Sequence, residues 1–138
     1  MGFADAVAAC FRKFAAFGGR GERAEFWYWV VFYLLAIFVL TIVDIIVVGV
    51  STGPFSTFAT AALLLPTVAA MSRRLHDTDR TAWWIVLPAA PLIIVILIAS
   101  PILAVLAVAA ALVGFVILLM MASAPGTAGP NRFGPEPT

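Results

Sequence analysis

Residues 83–122 read WWIVLPAAPLIIVILIASPILAVLAVAAALVGFVILLMMA and contain no charged side chain. A membrane-spanning helix needs roughly 20 apolar residues, so this stretch is long enough to cross a bilayer twice. Ser100 and Pro101 divide it near its middle. Serine at the N-cap followed by proline at the first helical position is typical of a helix start. The stretch therefore predicts two spans, over 83–99 and 101–122, joined by a tight turn.

The preceding part of the chain is also poor in charge. The sequence of 138 residues is 64% hydrophobic and 11% charged, whereas about one quarter of a soluble domain is charged. Between positions 26 and 71 there is a single charged residue, Asp44, and a turn signal at 51–54. This pattern predicts two more spans, over 26–48 and 55–71. A water-soluble monomer is not expected.

Residues 3–17 predict an amphipathic helix that lies on the membrane surface. Asp5 and Arg12 point away from its apolar residues, which fall within about one third of the helix circumference. These apolar residues are Phe3, Val7, Cys10, Phe11, Phe14 and Phe17. The helix is expected to end at the glycine pair 18–19.

The predicted fold class is an all-α integral membrane protein, a bundle of four transmembrane helices preceded by an N-terminal amphipathic interfacial helix. We expect one membrane domain over residues 1–138, with an irregular tail rich in proline and glycine over 123–138. The aromatic cluster at residues 26–29 is of the type that lies at headgroup depth, where the first span enters the membrane.

All eight Lys and Arg residues lie in the N-terminal segment, in residues 72–80 or in the tail. The predicted turns near positions 52 and 100 contain none. With four spans, the three basic segments share one side of the membrane. The positive-inside rule places that side in the cytoplasm, so both termini are predicted to be cytoplasmic.

If the second span continues as a helix past the membrane, Arg73, His76, Asp77 and Arg80 share one face. One hypothesis is a site in which the arginines bind an anionic group, such as a lipid phosphate, and Asp77 orients His76 for proton exchange. The alternative is a polar loop whose arginines fix the topology and whose Asp77 pairs with Arg73 or Arg74.

Two other sets of ionisable residues are candidates. The charged residues between positions 20 and 25 precede the first span, at the same predicted depth as residues 72–80, and could close a charge network with them. Asp44 is the intramembrane ionisable residue. It is either part of a proton or ion path or a carboxylate that reaches water near the far interface.

No metal and no cofactor are predicted. A single cysteine, Cys10, and a single histidine, His76, cannot supply the tetrahedral ligand shell of a usual zinc site. Cys10 is either acylated or packs as a small apolar side chain.

Three separated motifs carry a family resemblance: GRGERAEFWYW at 19–29, RRLHDTDRTAWW at 73–84 and PGTAGPNRFGPEP at 125–137. Together they resemble the domain-of-unknown-function family number 805 of small bacterial inner-membrane proteins. The resemblance implies several transmembrane helices in the bacterial inner (plasma) membrane, cytoplasmic termini and no assigned activity. The family usually reads RRLHDTGRSGWW; here Asp79 replaces the glycine, and residues 81–82 are Thr-Ala instead of Ser-Gly.

All three motifs fall on the same membrane face in the predicted topology, so the tail at 131–135 is expected to contact residues 73–80 and 20–25. No catalytic residue is predicted. The candidate cytoplasmic-face site consists of Arg20, Arg23, Glu25, Trp27, Arg73, Arg74, His76, Asp77, Arg80, Trp83, Trp84, Asn131, Arg132 and Phe133.

The predicted function is a non-enzymatic membrane module that binds anionic lipid headgroups or a partner protein through this surface. The alternatives are a subunit of an oligomeric transporter or channel, a lipid-phosphate enzyme, and an accessory subunit of a larger membrane complex. Membrane lipids are the expected partners, with a homo-oligomer or larger complex left open. A net charge of +1 gives no signature of nucleic-acid binding.

Overall fold

Five α-helices account for most of the chain. The computed structural model of the protein describes residues 1–98 and 100–137. Within them the helices are α1 (Phe3–Arg12), α2 (Arg23–Val47), α3 (Pro54–Asp77), α4 (Val86–Ile98) and α5 (Pro101–Ser123), with a 3₁₀ turn, Ala82–Ile85, leading into α4. The predicted end of the third span at position 99 and the last residue of the predicted tail, 138, lie outside the described residues.

Three of these helices have the length and composition of membrane spans. The helices α2, α3 and α5 contain 25, 24 and 23 residues and are apolar enough to cross a bilayer. Helix α4 is apolar but has only 13 residues, or about 20 Å. The 3₁₀ turn adds about 8 Å, which brings the pair close to the roughly 30 Å hydrocarbon core. The predicted all-α membrane fold is confirmed, with three full-length spans and a shorter fourth apolar helix.

Helix ends differ from the predicted spans at the charged end of the bundle. Helix α2 begins at Arg23 instead of 26, and α3 continues to Asp77 instead of ending at 71. Both helices therefore carry charged residues beyond their apolar spans. At the turn before α5, Ser100 is the N-cap and proline occupies the first helical turn, as the Ser-Pro signal predicts.

Helix α1 ends at Arg12, five residues before the predicted end at 17. A tertiary contact explains the difference. The Arg73 Nη1 group donates hydrogen bonds to the carbonyl oxygens of Lys13 and Ala16, at 3.1 and 2.8 Å, and Ser72 Oγ donates to the Phe17 carbonyl at 2.8 Å. The carbonyls of this irregular segment accept hydrogen bonds from side chains of α3. Helix α1 therefore does not continue through it.

The core lies in the half of the bundle where α1 packs against α2 and α3. Trp29 is fully buried there, and its indole Nε1 donates to Thr67 Oγ1 at 3.0 Å. The other buried members of the core are Cys10, Phe26, Leu63, Ala70, Met71, Leu75, Leu118 and Ala122. Helices α4 and α5 approach closely at Gly114, where a Cβ atom would lie 3.0 Å from the Pro88 nitrogen.

Asp44 caps α3 from the neighbouring helix. Its carboxylate accepts hydrogen bonds from the backbone amides of Phe55 and Ser56, at 3.1 and 2.8 Å, in the first turn of α3, where amides lack partners within the helix. Gly53 fits against it, since a Cβ atom there would lie 2.8 Å from the Asp44 Cβ. Asp44 is fully buried, so the prediction that it reaches water is wrong. It lies near the far end of α2, as expected, but binds the helix terminus instead.

Candidate functional site: a charged cap at one end of the bundle

Three chain segments meet where α2 begins and where α3 and α5 end. We call residues 13–25, 72–80 and 122–137 together the charged cap. Five charged side chains are buried in it, namely Arg20, Glu25, Arg73, Arg74 and Asp77. Burial of an ion is costly unless the charge is paired and its hydrogen-bonding atoms are satisfied. Their partners therefore determine what the cap can do.

Arg73 links residues 13–25, the first segment of the cap, to α3. Its Nη2 lies 2.9 Å from Glu25 Oε1, while its Nη1 binds the carbonyls beyond α1. Lys13 Nζ, half exposed, lies 3.5 Å from the other Glu25 oxygen. Within the described residues, Arg73 Nε is the one buried side-chain nitrogen or oxygen without a hydrogen-bond partner.

Asp77 is shared by two arginines. Arg20 Nη2 lies 2.9 Å from Asp77 Oδ1, and Arg74 Nη1 pairs with Oδ2. Pairing with Arg74 is one of the alternatives predicted from the sequence. The pair with Arg20, which comes from a segment 57 positions earlier, is an additional link between the first segment and α3.

The tail closes the cap through backbone carbonyls. Arg20 donates to the carbonyls of Gly129 and Thr127, at 2.5 and 2.6 Å. Arg74 donates to the carbonyl of Ala122 at 2.8 Å and to that of Ala124. The expected contact between the tail and the two basic segments is therefore present, and it is made largely by the tail backbone.

A glycine in the tail is required by this packing. A Cβ atom at Gly126 would lie 2.8 Å from the Asp77 Cγ, inside van der Waals contact. The next residue, Thr127, donates its backbone amide to the Asp77 carbonyl at 2.9 Å. The Pro-Gly-Thr part of the third motif thus fits the end of α3 closely.

His76 joins the same three segments at a more exposed position. Its Nδ1 lies 3.1 Å from the Gly19 carbonyl, and its ring stacks on Phe133 with centroids 4.0 Å apart and planes 5° apart. Asn131 donates to the His76 carbonyl at 2.9 Å. The carboxylate of Asp77 is bound to Arg20 and Arg74, so the hypothesis that it orients His76 is wrong. His76 and Asp77 are consecutive in α3, and consecutive helical residues do not face each other.

The end of α3 separates Arg80 from the predicted helix face. The Arg80 amide donates to the Leu75 carbonyl at 2.9 Å and the Asp79 amide to the His76 carbonyl at 3.0 Å, which is a Schellman motif. Asp79 occupies its left-handed position, with φ of 57°. Its carboxylate pairs with Arg132 at 3.1 Å in an exposed contact. Arg80 thus lies beyond the turn, off the face of Arg73 and Asp77.

The tryptophans of the candidate site surround the cap without entering its ion-pair network. Trp27 is half-buried against Phe26, with ring centroids 5.4 Å apart. Trp83 is 80% exposed, and Trp84 is also exposed; both line a shallow apolar groove along α4. This placement is that of interfacial anchors.

Cys10, on α1, is buried against the cap. Its Sγ lies 3.8 Å from Glu25 Oε1. Burial, followed by the nearby Glu25 carboxylate, raises the pKa of the Cys10 thiol to about 11. Cys10 therefore packs as a small apolar side chain, which is one of the two interpretations of the sequence.

Some cations remain outside the network. Among residues 1–98 and 100–137, Arg12, Arg23 and Arg80 have no carboxylate partner. Arg23, the first residue of α2, is exposed and donates to the Ser123 carbonyl at 3.4 Å. It lines an open space of about 280 Å³, which we call the Arg23 cleft. The other ionisable side chains lining the cleft are Arg20, Glu22, Arg74, Asp77 and Glu136.

Sequence reasoning missed two parts of this arrangement. Lys13 joins the network through Glu25, although its position near the end of α1 gave no spacing signal toward residue 25. Backbone carbonyls satisfy most of the buried arginines, and no residue type marks a carbonyl as an acceptor. No group of three His, Cys, Asp or Glu side chains within the described ranges could hold a metal ion.

The comparisons with known proteins cover most of the chain. The chain is 31% identical to "Inner membrane protein YhaH" of Escherichia coli (strain K12) over 129 residues, covering 91% of this chain and 90% of that protein. It is 30% identical to "Inner membrane protein YhaI" of the same strain over 128 residues, covering 91% and 89%. No solved structure matches the chain. Residues 14–135 match the family described as "Protein of unknown function (DUF805)", and the chain therefore belongs to the DUF805 family.

Proposed function

We propose that this protein is a non-enzymatic module of the inner membrane that binds anionic lipid headgroups at its cytoplasmic face. The observation that carries the proposal is the position of α1. This helix and the turn after it expose aromatic rings and cations side by side, next to the first turns of a membrane span. The inner-membrane names of the YhaH and YhaI relatives support the location.

Aromatic contacts hold α1 against the first turns of α2. The ring of Phe11 lies 5.2 Å from that of Trp29 and 5.6 Å from that of Phe32, both edge-on. Phe3 meets Tyr28 at 5.9 Å. These partners belong to the first three turns of α2, where aromatic residues sit at headgroup depth. These contacts support a position of α1 beside the interface.

Cations accompany these rings. Arg12 is exposed in the last turn of α1, and Lys13 follows it with about half of its side chain exposed. Phe14 and Phe17, in the irregular segment that follows, are also exposed. Apolar rings that enter the interface beside basic residues favour anionic lipid, at about 1 kcal/mol for each cation near the surface.

The buried arginines stabilise the cap beneath the lipid-binding surface but do not themselves bind lipid. Arg73 and Arg74 are 2% and 0% exposed, and most of their donors bind groups of the same chain. Anion binding by these two side chains would require the cap to open. We therefore assign them to the assembly of the cap, and assign lipid contact to the exposed cations around it.

Lipid retention tests the proposal. The protein is reconstituted in nanodiscs of phosphatidylglycerol and phosphatidylcholine, and the retained lipids are measured by native mass spectrometry. We expect phosphatidylglycerol to be enriched over the bulk ratio, and Arg12→Gln to reduce that enrichment by about fivefold, which corresponds to about 1 kcal/mol. The control Arg12→Lys keeps the charge and should keep the enrichment.

Two outcomes would overturn the proposal. One is an equal ratio of the two lipids in the wild-type complex. The other is an enrichment that does not change in Arg12→Gln, particularly if this variant loses a co-purifying protein, which would assign the surface to a protein partner. Lysine labelling that reaches Lys13 from outside intact cells would contradict the cytoplasmic orientation.

A further inference from the structure

The Arg23 cleft lies where the start of α2 meets the end of α5. Arg23 is the first residue of α2, and its guanidinium contacts the carbonyl of Ser123, the last residue of α5. Both helices are long enough to span the bilayer, so their adjacent ends mark where hydrocarbon gives way to headgroups. The cleft is open, and its volume of about 280 Å³ is suited to a headgroup instead of a whole lipid.

The two guanidiniums and one carboxylate at the back of the cleft already have hydrogen-bond partners within the chain. Arg20 and Arg74 share the carboxylate of Asp77, and their remaining donors bind carbonyls of the chain. These two guanidiniums are almost fully buried. They have little to offer an incoming anion, and the ligand must be recognised by the other ionisable groups of the lining.

Those groups are one cation and two carboxylates. Arg23 donates only a long hydrogen bond to Ser123. Glu22 and Glu136 line the same cleft. Glu136 Oε2 accepts from the Gly129 amide at 2.8 Å, and neither acid takes part in an ion pair of the described chain. The cleft thus presents both signs of charge to a ligand.

A ligand with one charge is poorly matched to this lining. A purely anionic headgroup would gain from Arg23 but would lie close to two carboxylates, and a simple cation would leave Arg23 without a partner. A phosphate ester that carries a primary ammonium group satisfies both signs, because its phosphate accepts hydrogen bonds from a guanidinium and its ammonium donates to carboxylates. A trimethylated ammonium has no N–H to donate.

We propose that the Arg23 cleft binds an ethanolamine phosphate ester, with the phosphate at Arg23 and the ammonium at Glu22 and Glu136. The inference rests on the proposed function in one respect, that this face of the protein meets lipid headgroups. It differs in the residues used and in the lipid class, because the anionic lipids are assigned to Arg12 of α1 and to Lys13, which follows it.

Competition between headgroups tests this site. Wild-type protein is placed in nanodiscs that contain equal amounts of phosphatidylethanolamine and phosphatidylcholine, with a minor fraction of phosphatidylglycerol. Retained lipids are counted by native mass spectrometry. We expect at least a severalfold preference for ethanolamine over choline. The double variant Glu22→Gln/Glu136→Gln should lose this preference, and Arg23→Gln should reduce retention of the ethanolamine lipid.

Controls separate this site from the rest of the surface. Asp79→Asn removes an exposed carboxylate that pairs with Arg132 outside the cleft, and it should leave the preference unchanged. Equal retention of the two lipids in the wild type, or a preference that persists in the double variant, would overturn the inference. Enrichment of phosphatidylglycerol that depends on Arg12 would survive such a result, so the two proposals fail separately.

A soluble ester distinguishes the source of the ligand. Glycerophosphoethanolamine is added to the same nanodiscs at millimolar concentration. If it displaces the retained phosphatidylethanolamine, the ethanolamine phosphate chemistry is supported and the soluble ester is a ligand as well. If the preference for the ethanolamine lipid is unaffected by the ester, the membrane lipid is the ligand. Displacement by glycerophosphocholine to the same extent would contradict the assignment.

Discussion

Asp79 and Arg132 are joined twice at the end of α3. The Arg132 side chain pairs with the Asp79 carboxylate at 3.1 Å and donates to its backbone carbonyl at 2.6 Å. The same aspartate is the residue whose backbone takes the left-handed conformation, a position that glycine adopts without steric cost. A carboxylate at this position therefore adds a contact with the tail, but it leaves the backbone of residue 79 strained.

Replacing Asp79 separates these two effects. Asp79→Gly and Asp79→Ala both remove the carboxylate, but only the glycine variant relieves the strain. We expect the glycine variant to be more stable than the alanine variant by about 1 kcal/mol, measured as thermal unfolding in detergent. Equal stability of the two variants would show that the turn does not hold residue 79 in the left-handed conformation.

Loss of the Asp77 carboxylate, which Arg20 and Arg74 share, should lower the stability of the protein far more than changes at Asp79. Asp77→Asn leaves the buried guanidiniums of Arg20 and Arg74 without their counter-charge, so we expect about 3–5 kcal/mol of destabilisation. Asp79→Asn is the matched control, since its exposed ion pair contributes at most about 1 kcal/mol. Comparable midpoints of denaturation for the two asparagine variants would contradict the burial of the network.

Substitutions at Asp44 and at its neighbour Gly53 distinguish a structural role of Asp44 from a role in transport. Asp44→Ala removes the acceptor for two amides of α3, and we expect a loss of about 1 kcal/mol of stability. Gly53→Ala should cost about 1–3 kcal/mol, because the added methyl group overlaps the carboxylate. Solute or proton flux in proteoliposomes that is present in the wild type and abolished by Asp44→Asn would instead favour an ion path.

The thiol of Cys10 gives a prediction for alkaline pH. Its pKa is raised from 9.0 to about 11 in the folded protein, so the folded state favours the protonated thiol. The resulting stability is fully present below pH 9 and is lost as the pH rises toward 11. Wild-type protein should therefore lose more stability than Cys10→Ala between pH 8 and pH 10.5, as measured by thermal unfolding. Parallel pH profiles for the two proteins would contradict the raised pKa.

The membrane spans and the contact of the three motifs with one another could be predicted, because both depend on composition. Apolar length predicts the helices α2, α3 and α5, and the one-sided distribution of arginines predicts that the cap is a single surface. The end of α1 could not be derived in the same way. It depends on where the Arg73 guanidinium lies, and this is fixed only when α3 packs against the first segment.

The partners of Asp77 and Asp44 show the same limit. Spacing along α3 suggested Arg73 or Arg74 for Asp77, since residues three and four apart are neighbours on a helix. It gave no indication of Arg20, which comes from another element. For Asp44, hydropathy located the residue near the far end of α2, but the amides of a second helix end decided that its carboxylate is buried.

The hydrogen bond from Arg20 to the Thr127 carbonyl joins positions 107 residues apart. A ribosome synthesises Arg20 long before the acceptor exists, and until α5 has been inserted the guanidinium must remain hydrated. The contacts of Arg20 with Thr127 and Gly129 can therefore form only after α5 has been synthesised. A chain interrupted before Thr127 would keep all its spans and still leave Arg20 without two of its carbonyl acceptors, the kind of defect that membrane proteases can recognise.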